Sequence, residues 1–286
     1  MSTGLASATR WGALTKKQKL VVSGGVAVGA LTLILIYWKR SAIMELTAKG
    51  FDYAKAKAFQ LALPTNVGRW TTQMFNSAQK YNVSPWALAA IMYNESRGGD
   101  ALTPRGDPGG TGDFTPRTES SSYFKYANPA TGLPPDGLGW GRGLMQVDYG
   151  VHVEWFKAGA NWRDPQVNID KAAEILAEKI RYFTASPSAK AVAVEEWRVL
   201  RGMPQYEIKP WSQKYPRIGA WPTSVKDVRP LSGDRLMEAA VASYNASYSG
   251  VLQAMGLGLP AEAATTRQEY VSKFLGLIAT WQMKFK

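Results

Sequence analysis

Residues 84–99 read SPWALAAIMYNESRGG, and this stretch decides how the chain folds. Ser84 is a favourable N-cap and Pro85 suits the first helical position, so a helix is predicted to start here. Leu88, Ile91, Met92 and Glu95 follow the i, i+3, i+4, i+7 spacing of one helix face, which places a carboxylate on the apolar side. Gly98-Gly99 then favours termination. A carboxyl held against apolar side chains has its charged form disfavoured, so its pKa rises and it can remain protonated near neutral pH. That state suits a general acid.

Outward from this helix, composition narrows the classes. The 286 residues can bury one good core, and 45% hydrophobic with 20% charged residues is ordinary for a folded protein. The absence of Cys removes disulfide and thiolate chemistry, and a single His without clustered ligand spacing gives no zinc site. Asp100, Asp107 and Asp113 lie among glycines, but their spacing does not match a calcium-binding loop and they read as turn residues. No metal or cofactor is expected. The net charge of +12 favours an anionic partner such as headgroups or wall polymer. No basic-plus-aromatic signature accompanies it, so nucleic acid is not the expected partner.

Towards the N-terminus, residues 1–19 form a basic, acid-free tail, and 20–38 (LVVSGGVAVGALTLILIYW) carry no charge. As a helix the latter would span about 28 Å, close to the hydrocarbon thickness of a bilayer. Tyr37-Trp38 followed by Lys39-Arg40 has the composition of an interfacial anchor rather than of a cleavage site. One transmembrane helix is therefore expected, with the basic tail favouring a cytoplasmic N-terminus. Residues 39–66 are expected to form a juxtamembrane helix or stalk, and 67–286 the folded domain.

Within that domain, helices are predicted over 67–81, 164–183, 234–246 and 266–285, and no alternating strand of convincing length occurs. The fold class is mainly α. Two stretches break the pattern. Residues 98–139 hold nine Gly and six Pro, which no helix would tolerate, and predict a mobile flap over, or beside, a substrate cleft. Residues 187–230, with six Pro and Trp197, Trp211 and Trp221, read as a surface insertion.

Five segments then fall in one order: NES at 94–96, GLMQVD at 143–148, DPQVNI at 164–169, SYNAS at 243–247 and TTRQEYV at 265–271. Together they resemble the lytic transglycosylases and goose-type lysozymes, which share a lysozyme-like helical fold and cleave peptidoglycan. The resemblance runs from about residue 67 to the C-terminus; the charge-free segment and the Gly/Pro-rich insertions depart from it. It implies that Glu95 is the catalytic acid and base, followed by Ser96 of the family's Glu-Ser pair. It further implies that Met145 and Gln146 face the sugar, that Tyr244 and Asn245 belong to the family's Tyr-Asn-Ala, and that Tyr270 packs toward the same site.

The two branches imply different chemistry. Asp148 with His152 four residues on is similar to the goose-type form, in which a second carboxylate activates water; Asp136 matches that branch's other aspartate more loosely. DPQVNI and TTRQEYV are more similar to the transglycosylases, in which one glutamate suffices and the muramoyl 6-hydroxyl attacks to give a 1,6-anhydro sugar. The transglycosylase reading is preferred. A membrane-anchored virion or structural protein that only grips the wall is the alternative of another class. The anchor and the insertions are compatible with a phage origin.

Overall fold

The stretch 84–99 becomes a helix with no polar face along most of its length. Pro85, Trp86, Ala87, Leu88, Ala89, Ala90, Ile91 and Met92 are all buried, the pattern of a helix surrounded by others rather than resting on a core. Ser84 occupies the N-cap position with extended backbone, but its hydroxyl makes no capping bond. At the other end Arg97, not a glycine, takes the left-handed conformation at φ 51°.

The computed structural model describes residues 53–184, 231–256 and 259–285. Its helices are α1 (Tyr53–Ala62), α2 (Thr65–Gly68), α3 (Thr71–Tyr81), α4 (Pro85–Ser96), α5 (Val153–Lys157), α6 (Pro165–Thr184), α7 (Gly233–Asn245), α8 (Tyr248–Gly256) and α9 (Tyr270–Phe285). α3 and α7 pack on α6, while α9 packs on α4 and α1, so α4 lies inside the bundle. The mainly helical class stands. Among the described residues no helix is long and apolar enough to cross a membrane. The tail 1–19, the charge-free segment 20–38 and the insertion 187–230 lie outside the described residues.

One expected boundary moves. The composition of residues 39–66 predicts a stalk outside the domain, yet α1 belongs to the core. Phe59 is fully buried, with its ring 4.4 Å from Trp86 and 5.0 Å from Phe75. Burying one such ring is worth about 2 kcal/mol, and Ala62 and Leu63 beside it are buried as well. In the sequence the neighbouring Lys55 and Lys57 disguise Phe59, the buried aromatic among the described residues of this segment.

The Gly/Pro-rich stretch is also not the loose flap its composition suggests. It folds around a three-stranded antiparallel sheet of β1 (Thr111–Gly112), β2 (Gly141–Arg142) and β3 (Val147–Asp148), with Gly112 paired to Gly141 and Arg142 to Val147. Thr103 and Thr111 exchange two backbone bonds of 2.9 Å, and Arg117 N and Asn128 N donate to Gly132 O and Leu133 O at 2.8 and 2.7 Å. The Arg117 guanidinium lies 3.9 Å over the Trp140 ring and pairs with Asp148. Glycine is required here mainly for close approach. A Cβ on Gly112 or Gly141 would come within 2.2 Å of the Gln146 amide oxygen, so both positions must stay bare for Gln146 to lie across the sheet. Asp107 and Asp113 accept from the backbone two residues on, at Gly109 N (2.8 Å) and Thr115 N (3.3 Å), as turn aspartates do.

Candidate active site

Glu95 sits in the last turn of α4, and the backbone just beyond that turn is pinned from several directions. Arg69 and Trp70, after α2, donate to Gly98 O at 2.8 and 3.3 Å, and the Asn66 amide donates to Arg97 O at 2.5 Å. The Ser96 hydroxyl donates to Met92 O (3.2 Å) and accepts from Gly99 N (3.2 Å). Ser96 is fully buried, and its hydroxyl closes the helix end.

The Glu95 carboxyl accepts a hydrogen bond from the Tyr270 hydroxyl at 2.5 Å, a contact between α4 and α9 across 175 positions of sequence. Two effects oppose each other there. Burial penalises the carboxylate and pushes the pKa up, while the Tyr270 donor favours the carboxylate and pulls it down. Burial dominates, and the pKa stands at about 7 instead of 4.5. Tyr244 joins from α7. Its pKa is raised by burial and by the charge of Glu95, as is that of Tyr270, so both phenols stay protonated and available as donors. The Tyr244 hydroxyl donates to Met145 O at 3.0 Å.

That carbonyl is positioned by a residue not singled out from the sequence. Asn168, fully buried on α6, accepts from Met145 N at 2.9 Å and donates to Arg142 O at 3.0 Å. Gly143 has φ +67°, and a Cβ there would meet the Asn168 amide at 2.5 Å. The turn 143–146 is therefore locked onto α6 from both sides. The one available signal was an asparagine inside DPQVNI on the buried stripe with Ala172 and Leu176, where only a satisfied amide is tolerated.

The other expected residues divide. Met145 has a fully buried side chain and offers its carbonyl to the Tyr244 hydroxyl. Gln146, half-buried, donates to Gly143 O at 2.9 Å and rests over the sheet. Asn245 accepts from Thr266 N at 2.9 Å, tying the end of α7 to the turn that leads into Tyr270. It thereby sets two phenol-bearing elements relative to each other. That turn is strained: Arg267 and Gln268 both have positive φ, of 62° and 53°.

Neither aspartate is poised like Glu95. Asp148 is gripped by Arg117 and also accepts from Val151 N at 3.0 Å. Asp136 accepts from the Arg142 guanidinium at 2.8 Å and from Leu138 N at 3.1 Å. Arg142 itself is buried, between the rings of Tyr149 (5.2 Å) and Trp162 (5.4 Å). Both carboxylates hold the insertion together. His152 does not join the Glu95 cluster; it lines a separate concavity. Among the described residues no group of acidic, His or Cys side chains is arranged to hold a metal.

The arrangement is a single carboxyl that is half protonated near pH 7, contacted by one phenol and flanked by another. It can give a proton to a leaving oxygen and take one back. Neither protein-family models nor curated proteins give a match to this chain.

Proposed function

We propose that the protein is a peptidoglycan-cleaving lytic transglycosylase with a lysozyme-like domain, breaking the β-1,4 bond between N-acetylmuramoyl and N-acetylglucosaminyl residues. The observation that carries this reading is the environment of Glu95. A carboxyl with a pKa of about 7 donates its proton to the glycosidic oxygen and leaves as a carboxylate that the Tyr270 hydroxyl stabilises. The carboxylate then withdraws the proton of the muramoyl 6-hydroxyl, whose oxygen closes on the anomeric carbon to give the 1,6-anhydro product. The proton given in the first half returns in the second, so Glu95 ends as it began. An internal nucleophile already held beside the reacting carbon needs no second carboxylate to recruit water.

Support for the transglycosylase over the hydrolase comes from the two aspartates. Asp148 and Asp136 are each committed to an arginine and a backbone amide, which leaves Glu95 as the carboxyl free to act. Anchorage in a bilayer through 20–38, with the domain facing the wall, belongs to the same proposal, as does a role in a phage particle. Zymography on purified peptidoglycan tests the enzyme against the wall-binding protein. The wild type should clear the gel and Glu95→Gln should not. Equal clearing would remove Glu95 from the reaction, and binding without clearing by the wild type would favour the structural protein.

A further inference from the structure

A concavity of about 460 Å³ lies apart from Glu95, Tyr244 and Tyr270. Tyr123, Tyr126, His152 and Trp155 are among the residues that line it, together with Lys171 of α6. The faces are aromatic, while the charges at hand are mostly cationic. Lys125 and Lys157 lie 4.9 and 5.9 Å over the Tyr126 ring, and the Lys171 ammonium is 5.7 Å from the Trp155 ring. The Lys171 side chain is only 14% exposed and, among the described residues, makes one hydrogen bond, to Glu174 at 3.0 Å, of the three that an ammonium can donate. The acid lining the cavity, Glu154, points outward at 82% exposed and sits 3.5 Å from Lys157.

His152 adds a second polar group without a protein partner: among the described residues its imidazole makes no hydrogen bond. Burial, then the ammonium groups of Lys171 and Lys179, lower its pKa to about 4 against the weaker opposing pull of Asp148 and Glu178. The imidazole is thus neutral at pH 7, with an N–H to donate in a positive local field. An ammonium with spare donors, a neutral N–H and aromatic walls are complementary to a carboxylate on an aliphatic skeleton.

We propose that this pocket binds a free carboxylate of the peptide stem carried by muramoyl residues, held by Lys171 and His152, with the aliphatic part of the stem against Tyr126 and Trp155. The identity of the peptide rests on the peptidoglycan reading above. Such a site would let the enzyme distinguish glycan bearing peptides from bare glycan.

His152 is the chain's single histidine, so its imidazole resonances report on the pocket alone in the untagged full-length protein in detergent micelles. The probe is the tetrapeptide L-Ala-γ-D-Glu-L-Lys-D-Ala. Saturable shifts of the His152 resonances are expected, with a rise in its pKa, because a bound anion favours the imidazolium. Amidating the peptide carboxylates should weaken binding by about tenfold or more, as should Lys171→Met, which keeps the aliphatic stem. Exposed Lys125→Met, remote from the core, should weaken it severalfold and serves if Lys171→Met unfolds. No saturable shift up to about 10 mM, equal binding of the amidated peptide or of neutral chitotetraose, or wild-type affinity in the folded lysine variants would overturn the proposal. Glu95-dependent cleavage without peptide binding would fell the pocket alone; peptide binding without cleavage would fell the enzymatic reading alone.

Discussion

At the scale of the residue, the setting that suits Glu95 to the proposed proton transfers also carries a cost. In an ordinary setting its carboxyl titrates at 4.5, and here at about 7. Between those values the native state keeps a proton that the unfolded chain has lost. Stability therefore falls as pH rises through this window and levels off above about 7, a loss of about 3 kcal/mol in all. Glu95→Gln abolishes that slope. Urea denaturation should show the variant gaining on the wild type from pH 5 to pH 8, while its lytic rate drops by about 10²–10⁴; parallel stability profiles would mean that the carboxyl is not desolvated. Tyr270→Phe acts in the opposite sense to a loss of burial. It removes the donor that pulls the Glu95 pKa down, so the alkaline limb of kcat/KM should move to higher pH, and an unmoved limb would show that the phenol does not govern the titration. The acid was legible in the sequence because a carboxylate in apolar register is rare. The roles of Ser96 and Met145 were not, because a motif gives a residue's place in the chain and not whether its side chain or its backbone is used.

At the scale of the element, the turn 143–146 and its clamp on α6 hold the Tyr244 acceptor in place. Asn168→Ala leaves Met145 N and Arg142 O without partners, at about 2–3 kcal/mol, and frees the carbonyl that Tyr244 contacts. A fall in melting temperature together with a fall in kcat is expected; loss of stability with kcat unchanged would confine Asn168 to the core. Asp148→Asn weakens the grip of Arg117 and should cost about 2 kcal/mol without abolishing turnover, measured on the folded fraction. A loss as deep as that of Glu95→Gln would give Asp148 a catalytic part. The helices were legible because their periodicity is local: α6 and α9 lie close to their predicted spans. The stretch 98–139 was not legible, because its order comes from long-range pairs. Arg117 with Asp148 and Gln146 over Gly112 and Gly141 leave no periodic trace. Limited proteolysis should accordingly spare this stretch in the early cuts, and prompt cleavage within it would contradict the sheet and its stacked arginines.

At the scale of the whole molecule, the chain joins a charge-free segment and a basic tail to a helical body whose acid faces a phenol from the far end of the sequence. The body begins earlier than its motifs suggested, because Phe59 is sheathed by lysines in the sequence and by Trp86 and Phe75 in the fold. The full chain should fractionate with membranes, and recovery of the intact protein in the soluble fraction without detergent would contradict the anchor. The central claim is that Glu95 works without a second carboxylate, and the products record it. Mass spectrometry of muropeptides released from purified peptidoglycan is the direct measurement. Anhydro-muramoyl ends, lighter by one water than reducing ends, should dominate with the wild type and disappear with Glu95→Gln; a majority of reducing ends would show that water is the nucleophile and that an aspartate shares the reaction.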